Sequence, residues 1–123
     1  MAQKSYVGAA RAFTNVQLGG PTTELESNPT VQNTAGIILQ GNPDRVGLVF
    51  INTSTVDVFI AFNSGVSSTN GIKIGANGNS VTMTVRDDFT LPTRTIYAIT
   101  SSGTATVYIL EVVRQIYTPD TEK

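Results

Sequence analysis

The chain has 123 residues and a formal net charge of −1, and it contains neither histidine nor cysteine. This length suits a single domain. Without histidine or cysteine, disulfides, thiolate metal sites and the Ser-His-Asp and Cys-His mechanisms are excluded. Only carboxylate- or lysine-based chemistry remains open, so we predict that the protein is not an enzyme and has no cofactor and no metal.

The charged residues are few and scattered. They make up 14% of the chain, against roughly 25% in typical soluble domains. We find no basic stripe for nucleic acid and no polybasic cluster for a membrane surface. The longest apolar run, 107–113, is interrupted by Glu111 and is far shorter than the ~20 residues that span a bilayer. The first residues lack a secretory apolar region, which predicts a soluble protein made in the cytoplasm.

Residues 1–33 show neither a helical nor a strand period, and Gly19-Gly20-Pro21 and Asn28-Pro29 interrupt them. We interpret this stretch as an extended N-terminal arm, with a disordered tail as the alternative. An arm could become ordered in a groove of a neighbouring protein. The candidate partner-binding residues are two basic side chains and spaced apolar anchors: Lys4, Tyr6, Val7, Arg11, Phe13, Val16 and Leu18.

From residue 34 onward the sequence alternates between short β-branched or aromatic runs and turn residues. The predicted strands are 35–40, 46–52, 56–62, 72–74, 81–86, 95–100 and 104–114. Strands of this length with no crossover helix between them predict an all-β fold, a single antiparallel β-sandwich or jelly-roll-like domain. We place this domain at 34–114, after the extended arm, and a polar C-terminal tail at 115–123.

The apolar residues also predict faces. Val58 and Ile60 alternate with Asp57 and Phe59, as expected for a strand with one face on the core. In 46–51 and 107–113 nearly every residue is apolar, so both faces require burial. Either the arm or a loop covers the second face, or a subunit contact does, and a subunit contact predicts a homo-oligomer.

The turns carry the remaining candidate sites. The Ser/Thr turns at 53–55 and 101–103, and the Gly-rich 75–79 segment, predict hairpins. Asp87-Asp88 could bind a hard cation, but it lacks calcium-loop spacing, and a solvated turn is the simpler interpretation. The hydroxyl-rich loop 63–71 could contact sugar, yet it has no aromatic platform and is interpreted as a surface loop. For Arg45 we predict hydrogen bonds to turn carbonyls or pairing with a carboxylate.

One run resembles a known family. The segment 42–53, Asn-Pro-Asp-Arg followed by an apolar strand ending in Asn52-Thr53, is similar to a pattern in small tailed-phage virion proteins. A strand like 58–62, a Gly-Ile step like Gly71-Ile72, an Ile-Tyr-Ala-Ile segment like 96–99 and a last strand like 106–111 follow in the same order. The resemblance covers 42–111 and includes no catalytic motif.

The resemblance implies a capsid decoration (cement) protein. Such a protein is a non-enzymatic β-sandwich that binds the major capsid protein on the outer surface of a phage head and reinforces it, commonly as a homotrimer. The expected location is the virion, and neither nucleic acid nor a membrane is an expected partner. The alternative is a head-fibre or tail-associated module that binds a receptor or a sugar.

Overall fold

The computed structural model describes residues 21–115. Besides one helical turn, α1 (Val85–Asp88), and a 3-10 turn at Leu91–Thr93, the regular elements of this part of the chain are strands. They are β1 (Thr22–Ser27), β2 (Thr30–Val31), β3 (Gly36–Leu39), β4 (Arg45–Asn52), β5 (Val58–Ala61), β6 (Ile72–Ile74), β7 (Asn79–Thr84), β8 (Ile96–Thr100), β9 (Ala105–Thr106) and β10 (Tyr108–Arg114).

The strands form two four-stranded antiparallel sheets. Sheet I has the order β1-β10-β4-β7, sheet II has the order β3-β8-β5-β6, and a short β2-β9 pair joins them. If the strands of the two large sheets are counted along the chain, these orders are 1-8-3-6 and 2-7-4-5, the arrangement of a jelly roll. The predicted all-β antiparallel sandwich is confirmed.

The jelly roll is a long antiparallel ribbon wound into a sandwich. Residues of β1, β2 and β3 pair in turn with β10, β9 and β8, as in Thr22 with Arg114, Val31 with Ala105 and Ile37 with Tyr97. The sandwich therefore begins at Thr22, within the stretch predicted as an arm, rather than at Thr34. Sequence analysis missed β1 because it is a polar edge strand. Its ladder hydrogen bonds hold it in place, and little of its surface is buried.

The core lies between the two inner faces of the sheets. Phe50 and Ile109 contribute from sheet I, and Ile60 and Ala98 contribute from sheet II, all at most 1% exposed. Each fully buried aliphatic or aromatic side chain contributes about 1.5–3 kcal/mol. The face predicted for residues 56–62 is confirmed, because Val58 and Ile60 belong to this core while Phe59 lies on the other side of the strand.

Several local predictions are wrong. The turns at 53–55, 75–79 and 101–103 are not hairpins, because each connects a strand of one sheet to a strand of the other or to the short β2-β9 pair. The 75–79 turn is nevertheless tight, with φ of 66° at Asn77 and 100° at Gly78. The predicted strand 104–114 divides into β9 and β10. Short-range patterns detect the turn but not the change of sheet, which the sandwich as a whole determines.

The predicted strand 81–86 ends two residues early because Thr84 caps a helical turn. Its hydroxyl accepts a hydrogen bond from the Asp87 amide at 3.2 Å, and its own amide donates to the Asp88 carboxylate at 2.9 Å. Aspartates are favourable in the first turn of a helix. The acidic pair therefore serves as a capping arrangement at the surface.

The buried side chain of Arg45 ties four segments of the sandwich together. It is 1% exposed. Its Nε donates to Glu111 Oε1 at 2.9 Å, and its Nη1 donates to the Pro92 and Arg94 carbonyls at 3.0 and 3.2 Å. Its Nη2 donates to the Gln40 carbonyl. Both parts of the prediction for Arg45, turn carbonyls and a carboxylate, are confirmed.

Asn52, fully buried at the other end of β4, plays a similar part. Its Nδ2 donates to the Val56 and Ile74 carbonyls at 2.8 and 2.9 Å, and its Oδ1 accepts from the Ser54 hydroxyl at 2.6 Å. A buried amide without partners would be costly, whereas this one is satisfied. The polar residues near the two ends of the 42–53 segment thus stabilise the fold.

Replacing Arg45 tests this arrangement. Arg45→Met should lower the free energy of unfolding by about 3–5 kcal/mol, because it leaves Glu111 unpaired and several buried carbonyls without donors. Chemical denaturation followed by circular dichroism measures the change. Arg94→Met, at an exposed arginine, should cost less than about 0.5 kcal/mol. Equal effects of the two substitutions would contradict the role given to Arg45.

Candidate interaction surface

The seven residues predicted from sequence to bind a partner, from Lys4 to Leu18, all lie outside the described residues 21–115. Within that range the structure shows no group of three or more acidic side chains placed to hold a metal ion. It also contains no helix with the length and apolar character needed to cross a bilayer. The candidate surfaces of the described domain are therefore the outer sheet faces and the loops.

The polar groups of loop 63–71 form hydrogen bonds mainly within the loop. The Asn63 side chain accepts from the Gly65 amide at 2.9 Å, and the Asn70 side chain donates to the Gly65 carbonyl at 2.9 Å. Ser67 and Asn70 exchange two backbone hydrogen bonds of 3.1 Å, and Val66 anchors the loop with 4% exposure. These internal bonds favour a folded surface loop over an open sugar site.

The outer face of sheet I carries a row of apolar side chains, which we call the outer stripe. In the cross-strand register Leu110 is opposite Val49, Tyr108 is opposite Ile51, and Val112 is opposite Gly47. The five side chains are half-buried. None belongs to the core cluster or packs against it, so they point away from the core. This finding locates the second apolar face predicted for 46–51 and 107–113.

The outer stripe has an acidic rim on one side. Glu24 and Glu26 of β1 are exposed and are opposite Val112 and Leu110 in the register, so they share the outer face. The Tyr108 hydroxyl donates to Glu26 Oε2 at 2.9 Å. This hydrogen bond, followed by partial burial and the nearby negative charge, raises the pKa of Tyr108. The spacing of two glutamates was visible in the sequence, but the strand that orients them was not.

Sheet II also has an apolar outer face. Phe59 is next to Ile99, and Tyr97 is next to Ile37, which is 47% exposed. The charged residue on this face is Lys73, opposite Phe59, and its ammonium lies 3.6 Å from an Asp57 carboxylate oxygen. Asp57 offsets the charge of Lys73, so this pair, unlike the acidic rim of the outer stripe, carries no net charge.

The chain enters and leaves the sandwich at the same end, which we call the terminal end. The Gln115 amide donates to the Pro21 carbonyl at 2.7 Å, and the Arg114 amide donates to the Asp44 carbonyl at 2.7 Å. The Asn42 amide reaches the Thr93 carbonyl at 2.9 Å, so the connection that follows α1 lies here too.

Phe89 follows α1 at the terminal end and is 81% exposed, with φ of 58° and ψ of −122°. Such backbone angles are strained for any residue but glycine, and strain of this kind is concentrated at functional positions. An exposed aromatic side chain on strained backbone is a candidate contact residue. Sequence analysis treated 87–92 as a turn and did not single it out.

Comparisons with known proteins identify no family. No protein-family model matches the chain, and no curated protein matches it. Solved structures that are similar include a Bacillus endospore appendage from a novel family of disulfide-linked pili, dTDP-4-dehydrorhamnose 3,5-epimerase from Bacillus anthracis, and Aeromonas hydrophila PliG, a periplasmic inhibitor of g-type lysozyme.

The three similarities are distant. The pilus protein is 21% identical with a TM-score of 0.45, and the match covers 78% of this chain and 88% of that one. The epimerase is 16% identical with a TM-score of 0.43, covering 89% and 63%, and PliG is 13% identical with a TM-score of 0.31, covering 76% and 86%. With TM-scores below 0.5, they do not support an argument about function.

The hydrogen bond between Tyr108 and Glu26 has a measurable pH dependence. Because the folded state raises the pKa of this phenol, its contribution to stability is present below the ordinary value of about 10 and is lost as pH rises through the folded pKa. An NMR titration of ring-labelled tyrosine in the alkaline range should show the raised pKa. Glu26→Ala should return it toward the ordinary value, whereas Glu24→Ala should leave it raised. Equal titration in both variants would contradict the contact.

The strain at Phe89 predicts an unusual substitution effect. Phe89→Gly should be more stable than Phe89→Ala by about 1 kcal/mol, because glycine adopts positive φ freely and the exposed ring contributes little burial. At an ordinary exposed position the order is reversed. Urea denaturation of the two variants measures the difference, and an alanine variant as stable as the glycine variant would show that the backbone is not strained.

Proposed function

We propose that this chain is a non-enzymatic structural protein that acts through contact surfaces, and that it decorates the outside of a phage head. Its partner there is the major capsid protein, which it reinforces as a cement protein does. The apolar side chain surface presented outside the core, on both sheets and at Phe89, is the observation that carries the proposal.

Polar groups in the described domain support a scaffold rather than a reactive centre. Arg45 and Asn52, its two most buried polar residues, are fully engaged by backbone carbonyls and neighbouring side chains. The acidic pair 87–88 lies in the first turn of α1, where Thr84 is the N-cap and the Asp88 carboxylate accepts from the Thr84 amide. A protein that reinforces a shell needs contact area and rigidity, and these networks contribute rigidity.

Apolar surface outside the core supports association. Large exposed apolar patches on soluble domains usually mark sites of protein contact. Here the half-buried outer stripe, the outer face of sheet II with its exposed Ile37, and the exposed ring of Phe89 lie on different parts of the domain, as several contacts in a lattice would require. This arrangement also motivates the expected homotrimer, which would use one face between subunits and leave another for the capsid.

Heads assembled from the major capsid protein encoded in the same genome test the proposal. Purified protein should co-sediment with them at saturating, repeated copy number, and should raise the temperature at which the heads disassemble, because a ligand that binds only the intact shell stabilises it. Cryo-electron microscopy of the decorated heads locates the bound copies.

Two further measurements distinguish the alternatives. Mass spectrometry of phage particles should find the protein at a copy number comparable with capsid positions, whereas a few copies per particle would indicate a head-fibre or tail-associated module and would overturn the cement role. A chain without residues 1–20 should keep its strand signature in circular dichroism but bind heads more weakly. Unchanged binding would remove the arm from the mechanism.

A further inference from the structure

The outer stripe of sheet I is an apolar seat without an occupant among the described residues 21–115. Its side chains lie on the two central strands, β4 and β10, and form three adjacent cross-strand rows. Central strands whose outer face is aliphatic normally have a covering layer. An occupant must match both this apolar row and the acidic rim formed by Glu24 and Glu26.

We infer that the outer stripe seats residues 1–20 of a second copy of this chain. This inference extends the proposed function by naming a contact between subunits, yet it can be tested on the purified protein without a capsid.

Charge supports this choice of occupant. Residues 1–20 contain no aspartate or glutamate, and their charged side chains are Lys4 and Arg11. The rim beside the stripe carries two exposed carboxylates. The outer face of sheet II instead presents Lys73 paired with Asp57 at 3.6 Å, so this ion pair offers no excess negative charge to the same segment. Complementary charge determines which surface is chosen more than how tightly it is bound.

Length and apolar spacing support it as well. Twenty extended residues span up to about 70 Å, and three rows of a sheet face extend over only about 14 Å along the strands. In an extended chain the apolar side chains of Val16 and Leu18 would share one side. Such a segment can cross from one subunit and lay its anchors along the stripe of the next.

The exit of the segment favours a second copy over the same one. The Pro21 carbonyl is fixed in the ladder by the Gln115 amide at 2.7 Å. β1 starts at Thr22, directly after Pro21, and runs alongside the stripe from there. To reach its own stripe, the chain would have to reverse direction at this point.

Photo-crosslinking in the full-length protein tests the inference. Val16 is replaced by the photoreactive amino acid p-benzoylphenylalanine, and equal amounts of ordinary and ¹⁵N-labelled chains are mixed, equilibrated and irradiated. Peptides containing 47–51 or 108–112 should be the main partners. The crosslinked pairs should include one light and one heavy peptide, which only contact between two copies produces.

A matched pair of substitutions provides the control. Leu110→Lys places a charge in the stripe and should lower the crosslink yield at least about tenfold. Burial of a leucine side chain contributes more free energy than a tenfold change in affinity represents. Thr104→Lys adds the same charge at an exposed turn and should leave the yield unchanged. Crosslinks only within one isotopic species, crosslinks to the outer face of sheet II, equal loss in both variants, or no crosslink with a folded domain would each overturn the inference. None of these outcomes depends on whether the protein binds phage heads.

Discussion

Burial of one guanidinium group organises this sandwich. Arg45 stands at the start of β4, and its donors reach β10 through Glu111, the connection before β8 through Pro92 and Arg94, and the end of β3 through Gln40. A buried arginine is tolerable only when its charge is paired and its donors are satisfied, so these segments must arrive together. The hydrogen bonds of Arg45 fix the relative positions of these segments at one end of β4. Asn52 does the same at the far end of β4 through its hydrogen bonds to backbone carbonyls.

The general fold could be predicted from sequence because a strand with one apolar face shows a recognisable alternation of apolar and polar residues. Val58 and Ile60 against Asp57 predicted a core-facing strand, and Arg45 beside a turn predicted its bonds to carbonyls. The predictions that failed concern contacts between residues that are distant in sequence. β1 has almost no apolar signal, and its existence depends on β10, which lies at the other end of the chain. The turns at 53–55 and 75–79 contain residues typical of hairpin turns, but in the sandwich the strands that flank each turn belong to different sheets.

Some features of the candidate surfaces could likewise be predicted from sequence, and others could not. Doubly apolar strands were evident in 46–51 and 107–113, and the structure joins them into one stripe because β4 and β10 are neighbours. The acidic rim escaped prediction, since Glu24 and Glu26 acquire a common direction only once β1 is recognised as a strand. Phe89 escaped it for another reason. No residue pattern specifies a positive φ at a phenylalanine, which arises where the chain leaves α1 and turns toward the Leu91–Thr93 turn.

The pairing of β1 with β10 has a consequence for how the protein is made. Thr22 is among the first residues of the sandwich to leave the ribosome, and its partner, Arg114, is among the last. Loops of this span close slowly, because chain entropy is lost before the distant contacts form. During synthesis β4 can pair with β7, and β5 with β6, while the edge of β4 that pairs with β10 in sheet I is still unpaired. The domain can therefore close only after β10 has emerged, and until then the β4 edge that will receive β10 is open to pairing with other nascent copies.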